Sequence, residues 1–136
     1  MVETVATSQP PTTLQPGHVI SIHSEAQYRD VMEAVVVDRL VVVDCFADWC
    51  PPCQQMAPIF ESMAKEYPDI VFLKVDMDQV PSLKSELSVW ALPTFAFLRY
   101  GKRVGGFMGA NPNLLRRGLE NNGEISFCSS LNCTIQ

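Results

Sequence analysis

Two cysteines three positions apart, Cys50 and Cys53, are the residues of this sequence whose types and spacing point most directly to chemistry. They follow an apolar run, where a strand is expected to end and a helix to begin. Two cysteines at such a junction can close a disulfide and reopen it, because the positive end of a helix lowers the cost of a thiolate. The pair therefore predicts the transfer of two electrons by dithiol–disulfide exchange.

The two cysteines are expected to have different roles. We predict that Cys50 lies at the helix start with its sulfur exposed and acts as the nucleophile. Cys53, one turn later and deeper, is the predicted resolving thiol, which attacks the mixed disulfide and releases the reduced substrate. Pro51 and Pro52 suit the first helical turn, because the N–H groups that they lack would have no partners within the helix there.

A metal site is the alternative to redox chemistry, since a lone Cys-x-x-Cys is also half of a zinc site. The other half would have to come from Cys128 and Cys133, which are far away in the sequence. The two prolines and the preceding Trp49 favour a redox loop. We therefore expect no bound cofactor and no metal, and a redox-active disulfide between Cys50 and Cys53.

A single charged residue, Asp44, interrupts the apolar run and lies six positions before Cys50. On a buried strand its neutral form is favoured, which raises its pKa. Such a carboxyl group can act as the catalytic acid–base that deprotonates Cys53, directly or through a water. The alternative is a structural aspartate satisfied by local hydrogen bonds. The adjacent Cys45 points to the other sheet face and is expected to be an inert core thiol.

Hydrophobic periodicity predicts the elements that position these residues. A short strand at 19–22 precedes a helix that Ser24 opens, with Gln27 completing a capping box. The other predicted elements are a strand at 40–46, a helix at about 50–67 containing Pro58, a strand at 70–75, a short helix ending near 88, strands at 93–100 and 103–108, and a helix that starts at Asn111-Pro112 and stops at Asn122-Gly123. This order predicts an α/β fold, whose mixed sheet has a parallel core and a C-terminal antiparallel hairpin and is flanked by helices on both faces.

Length and composition limit the possible functions. The chain of 136 residues suits one domain. Its net charge of −5 argues against nucleic-acid binding, and no apolar stretch approaches the length of a transmembrane helix. The first residues resemble neither a secretory signal nor a mitochondrial transit peptide. Five cysteines without a signal peptide suggest a reducing compartment, so we expect a cytoplasmic protein.

Three segments are predicted along the chain. Residues 1–18 are rich in Thr, Pro, Gln and Ser and are expected to form a flexible extension. Residues 19–122 form the folded domain, and residues 123–136 form a flexible tail that contains two cysteines.

The tail ends in Cys133-Thr134-Ile135-Gln136, which fits a prenylation box, and Cys128 could carry a second lipid. The alternatives are an unmodified tail and a disulfide between Cys128 and Cys133 that acts as an additional redox switch. Attachment to a membrane is expected only if Cys133 is lipidated.

Several of these residues together resemble the thioredoxin family. The segment VDCFADWCPPC at 43–53 is similar to the family's strand and redox loop, and Pro58 matches its helix-kinking proline. The segment LPTF at 92–95 resembles its cis-proline segment, and Gly101 and Gly109 match its two late glycines. The resemblance covers residues 19 to 122 and implies the thioredoxin fold.

The resemblance also implies an activity and partners. A thioredoxin reduces disulfides in protein substrates and is recharged by a thioredoxin reductase that uses NADPH and FAD; peroxiredoxins are a further partner class. Cys50 would be the nucleophile, Cys53 the resolving thiol and Asp44 the buried acid–base. Substrate-binding positions would be Trp49, Pro51, Ala91, Leu92 and Pro93, where Pro93 is a cis proline and the backbone of Ala91 and Leu92 pairs with the substrate. Trp90, just before this segment, is a further candidate for substrate binding.

Two departures from the family pattern concern the electron donor. Pro51 stands where thioredoxins usually have Gly, and Gln54 stands where a Lys is common. The Cys-Pro-Pro-Cys loop resembles those of tryparedoxins and nucleoredoxins. The alternative function is therefore a tryparedoxin-like carrier of electrons from a low-molecular-weight dithiol to peroxidases. A module that only binds partners, with an incidental Cys pair, is the non-enzymatic alternative.

Trp90 has two interpretations of equal weight. It is either a partly buried filler or an apolar contact for protein partners near Cys50. The two histidines, His18 and His23, flank the first strand and are expected to be ordinary surface residues.

Overall fold

The computed structural model of the protein describes residues 14–35 and 38–125. The elements in this part of the chain are β1 (Val19–Ile22), α1 (Glu25–Ala34), β2 (Val41–Phe46), α2 (Pro51–Glu66), β3 (Val71–Asp76), α3 (Leu83–Glu86), β4 (Thr94–Arg99), β5 (Lys102–Met108) and α4 (Pro112–Glu120). Their order and types are those predicted from the sequence.

The strands form one mixed sheet in the order β1-β3-β2-β4-β5. β1 and β2 both pair parallel to β3, whereas β4 pairs antiparallel to β2 and to β5. β2 therefore lies at the centre of the sheet, and its carboxyl end leads directly into the loop that carries the two cysteines. The predicted parallel core and C-terminal hairpin are confirmed.

The two faces of the sheet carry separate apolar cores. α1 and α3 cover one face, where Cys45 packs among aliphatic side chains. α2 and α4 cover the other face, where the rings of Phe60 and Phe72 lie 5.0 Å apart. Because side chains alternate along a strand, Asp44 lies on the α2 face together with Val42. The predicted placement of Cys45 on the opposite face from Asp44 is confirmed.

Side-chain caps define where two of the helices begin. The Ser24 hydroxyl accepts a hydrogen bond from the Gln27 N–H (3.1 Å), and the Asn111 side chain accepts one from the Leu114 N–H (3.1 Å). The Gln27 side-chain oxygen accepts from the N–H of His23 (2.7 Å), one residue earlier than in the predicted capping box. Both helices therefore start where the sequence predicted.

Within the predicted extension, residues 15–18 form a turn, and Leu14 packs against the core on the α1 face. The rest of that extension and the tail positions Cys128 and Cys133 lie outside the described residues. Within residues 14–35 and 38–125, no helix combines the length and the apolar character needed to cross a membrane.

Candidate active site

Cys50 and Cys53 form a disulfide at the start of α2, with their Cα atoms 5.2 Å apart. Cys50 is the N-cap residue, and its Sγ accepts a hydrogen bond from the N–H of Cys53 (3.3 Å). Pro51 and Pro52 occupy the first two helical positions, as predicted. Once the disulfide is reduced, this N–H and the positive end of α2 favour a thiolate at Cys50.

Both cysteines are buried, which corrects part of the prediction. Cys50 is 3% exposed and Cys53 is 4% exposed, so the expectation of an exposed Cys50 sulfur above a deeper Cys53 is wrong. The physical reason is tertiary packing, because Ala47 precedes the pair and the half-buried Phe46 and Leu92 pack against it. The disulfide is therefore sheltered rather than presented on a protruding loop.

Asp44 lies on β2 and is 4% exposed. Its Oδ1 has no hydrogen-bond partner among the described residues, so its alternative reading as a locally satisfied structural aspartate is not supported. Burial raises the pKa of Asp44 from 3.8 to about 7, and the positive charge of Lys74, opposite it on β3, opposes that rise. The carboxyl group can therefore gain or lose a proton near neutral pH.

A cavity of about 190 Å³ connects Asp44 with the disulfide; its lining includes Asp44, Phe46, Cys53, Gln54 and Lys74. We call it the Asp44 cavity. Its volume is several times the roughly 30 Å³ that one water occupies in the liquid. The cavity therefore has room for water beside both Cys53 and Asp44, and transfer of a proton between them stays a prediction.

The Leu92–Pro93 peptide bond is cis, as the resemblance implied. The Ala91 carbonyl accepts a hydrogen bond from the Thr94 hydroxyl (2.6 Å). The backbone N–H and C=O of Leu92, by contrast, have no partner within the described ranges. Since Leu92 also packs against the disulfide, these two groups are free to pair with an extended chain beside Cys50.

A groove of about 400 Å³ runs beside the disulfide, and we call it the Cys50 groove; its lining includes Trp49, Cys50, Pro51, Lys84, Trp90 and Leu92. Trp90 is 85% exposed, so its interpretation as a partly buried filler is wrong. Trp49 is 68% exposed, and its indole N–H donates to Asp78 (2.9 Å). Five of the six predicted substrate-binding residues therefore line one groove beside Cys50, and the sixth, Pro93, follows Leu92 through the cis peptide bond; their roles stay predictions.

Two residues near the site were not predicted. Lys74 lies beside Asp44 and influences its charge, and Asp78 holds Trp49 in place. Lys74 could have been found, because it is the only charged residue at 70–75, the same signal that identified Asp44. Asp78 lies in a polar loop, and nothing in the sequence connects it with a tryptophan 29 positions away.

Other reactive side chains lie away from this site. Cys45 is fully buried, and burial raises the pKa of its thiol, which makes it unreactive. His18 and His23 are exposed. No group of three or more His, Cys, Asp or Glu side chains in the described part of the chain could hold a metal ion, whereas Cys128 and Cys133 lie outside that part.

Comparisons with known proteins agree with this arrangement. The thioredoxin family model matches residues 19–121. A thioredoxin H-type from Picea mariana is 41% identical over 102 residues, which cover 74% of this chain and 82% of that protein. The crystal structure of thioredoxin NaTrxh from Nicotiana alata has a TM-score of 0.75 and 32% identity, with 83% of this chain and 99% of that chain covered.

A further similar structure contains a partner. It is a crystal structure described as a complex of ferredoxin:thioredoxin reductase and thioredoxin f2. The TM-score is 0.72 with 30% identity, and the match covers 79% of this chain and 96% of that chain.

Proposed function

Since this chain belongs to the thioredoxin family and is a thiol–disulfide oxidoreductase, we propose that its substrates are disulfides in other proteins. The thioredoxin fold expected from the resemblance is confirmed. The observation that carries the proposal is a Cys50–Cys53 disulfide at a helix start, beside a cis-proline segment with a free backbone and a cavity leading to a buried carboxyl group.

Reduction proceeds in two exchange steps. The Cys50 thiolate attacks one sulfur of the substrate disulfide, forms a mixed disulfide and releases the first substrate thiolate. The Cys53 thiolate then attacks the Cys50 sulfur, which releases the second substrate thiolate and forms the Cys50–Cys53 disulfide. The substrate gains two electrons, and the protein loses two.

Asp44 acts as the acid–base partner of Cys53. Its carboxylate accepts the Cys53 proton as the resolving attack begins, and its protonated form returns a proton when the disulfide is reduced again. A pKa of about 7 and the shared Asp44 cavity support this role, because the carboxyl group holds and releases a proton at the pH where the exchange runs.

The substrate chain binds along the cis-proline segment. The free N–H and C=O of Leu92 would pair with an extended stretch of substrate, as one strand pairs with the next. This pairing would bring the substrate disulfide next to Cys50, because Leu92 packs against the cysteine pair.

The oxidised protein needs a two-electron donor. We propose a thioredoxin reductase that takes electrons from NADPH through FAD, with peroxiredoxins among the proteins served, and the cytoplasm as the compartment. The thioredoxin f2 structure, which is bound to a ferredoxin:thioredoxin reductase, supports a reductase-type partner in this family. That reductase is named for ferredoxin, whereas the donor proposed for this chain is a flavoprotein that uses NADPH.

Insulin reduction in the presence of NADPH and a flavoprotein thioredoxin reductase tests the whole cycle. We expect wild-type protein to sustain NADPH oxidation and the Cys50→Ser variant to abolish it, while Cys45→Ala, on the other sheet face, retains it. Reduction by a small dithiol but not by the reductase would favour the tryparedoxin-like carrier. Equal acceleration of insulin reduction by wild type and Cys50→Ser would overturn the catalytic proposal.

A further inference from the structure

Trp90 is the most exposed of the large apolar side chains in the described part of the chain, and it lies on a functional surface. It is 85% exposed and lines the Cys50 groove together with Trp49 of the redox loop. Leaving an indole in water is unfavourable, because burying its apolar surface against a partner would release free energy. A surface that keeps such a residue beside its reactive disulfide is suited to bury it against a partner.

The backbone on which Trp90 sits is held by contacts from two directions. The N–H of Val89 donates to the Lys84 carbonyl (2.8 Å), which ties the segment to α3. From β5, the Arg103 guanidinium donates to the carbonyls of Leu87 and Ser88. Trp90 therefore projects from a braced loop, so binding against it orders little additional backbone.

The groove is apolar with one positive charge. Most of its lining side chains are Trp, Pro, Val, Ala and Leu, and Lys84 is the single charged residue among the described residues that line it. The chain as a whole has a net charge of −5. Among the residues that line the groove, Lys84 is therefore the one able to pair with a carboxylate of a bound chain.

We propose that Trp90 and Lys84 determine which protein disulfides this chain reduces. The preferred substrate segment has a large apolar or aromatic side chain next to the reacting cysteine, which packs on Trp90, and a carboxylate nearby, which faces Lys84. This inference rests on the proposed function, since it specifies the substrate class of the same site. Packing of an aromatic side chain on Trp90 contributes about twofold to tenfold, and an exposed ion pair adds about twofold to fivefold.

Short peptides test the preference without any reductase. Each peptide carries one cysteine joined in a disulfide to the coloured thiol 5-thio-2-nitrobenzoate, so that attack by Cys50 on the peptide sulfur releases the coloured thiolate. The peptides have Phe or Ser on either side of the cysteine, and Glu or Lys one position further out. The second-order rate constant for each peptide is measured with pre-reduced protein. Each variant is compared with wild type by the ratio of its rate constants for two peptides that differ at one position.

We expect wild-type protein to react about tenfold faster with the best Phe peptide than with its Ser counterpart, because Phe pairs with the Trp90 ring and buries apolar surface and Ser does neither. Trp90→Ala should bring that ratio close to one, and Trp90→Phe should retain most of it. Lys84→Glu should reverse the preference for Glu over Lys peptides. The matched controls are Tyr100→Asn, an exposed aromatic on the β4–β5 turn, and Lys102→Glu on β5; both should keep the wild-type ratios.

Two negative outcomes have different meanings. A wild-type ratio below about two, or a ratio that Trp90→Ala leaves unchanged, would overturn the inference while the reductase activity stands. A wild-type protein that reacts with none of the peptides would overturn the proposed function itself.

Discussion

Replacing Asp44 by Asn should stabilise the oxidised protein, and the gain should grow with pH. In the unfolded chain this carboxyl group ionises with a pKa of 3.8, whereas burial raises its pKa to about 7 in the folded protein. Between these values the folded state holds a proton that the unfolded state has lost. Stability therefore falls as pH rises through this window, and above pH 7 the full penalty of the buried charge is present.

The size of the effect follows from the two pKa values. The interval from 3.8 to about 7 corresponds to about 4 kcal/mol, at about 1.36 kcal/mol per pH unit. About 2 kcal/mol of this penalty is present at pH 5, and nearly all of it at pH 8. Asn carries no charge, so the free energy of unfolding of Asp44→Asn should exceed that of wild type by an amount that increases by about 2 to 3 kcal/mol between these two pH values.

Urea unfolding of the oxidised proteins at pH 5, 6, 7 and 8 measures this difference. Asp30→Asn, an exposed position on α1, is the matched control and should follow wild type at every pH. If the gap between Asp44→Asn and wild type were the same at pH 5 and pH 8, burial of the Asp44 charge could not be its cause, and the reasoning would be refuted.

Three further predictions concern activity and packing. Asp44→Asn should slow release of a peptide from its mixed disulfide with Cys50 by about 100-fold and abolish the rise of that rate near pH 7; an unchanged single-turnover pH profile would exclude the acid–base role. Tyr28→Phe should be neutral or stabilising by up to about 1 kcal/mol in urea unfolding, because the buried Tyr28 hydroxyl has no partner among the described residues; a loss above about 1 kcal/mol would contradict this. Gly118→Ala should lower the free energy of unfolding by about 2 kcal/mol, because its Cβ would lie 2.3 Å from the Phe97 ring. The overpacking costs about 3 kcal/mol, whereas the gain in helix propensity returns only about 1 kcal/mol. A melting temperature at or above that of wild type would show that the ring moves freely.

Much of the fold could be predicted from short stretches of sequence. The run at 40–46 is long and apolar enough to indicate a central strand, and its alternation separates Asp44 from Cys45. Ser24 and Asn111 mark helix starts by a hydrogen bond that spans three residues. These features depend on neighbours along the chain, and the structure agrees with them for that reason.

The surroundings of the site could not be predicted in the same way. The low exposure of Cys50 depends on Leu92, which reaches the cysteine pair only after the chain has passed through β3 and α3. Gly118 gave no signal in the sequence, although its lack of a side chain makes room for Phe97. In both cases the partners are distant in sequence and meet only when the sheet and helices have packed.

By itself, the sequence determined the reaction: two cysteines at the spacing of one helical turn, two prolines in the first turn and a charge on a buried strand leave few alternatives to dithiol exchange. Tertiary structure alone decided the electrostatic surroundings of Asp44 and which side chains are exposed beside Cys50. The register of β2 with β3 places Lys74 opposite Asp44. Arg103 binds the carbonyl of Ser88 in the loop that carries Trp90, and Trp90 is exposed beside Cys50. Spacing along a chain controls local chemistry, whereas the electrostatic surroundings and the exposed surface depend on which distant segments pack together.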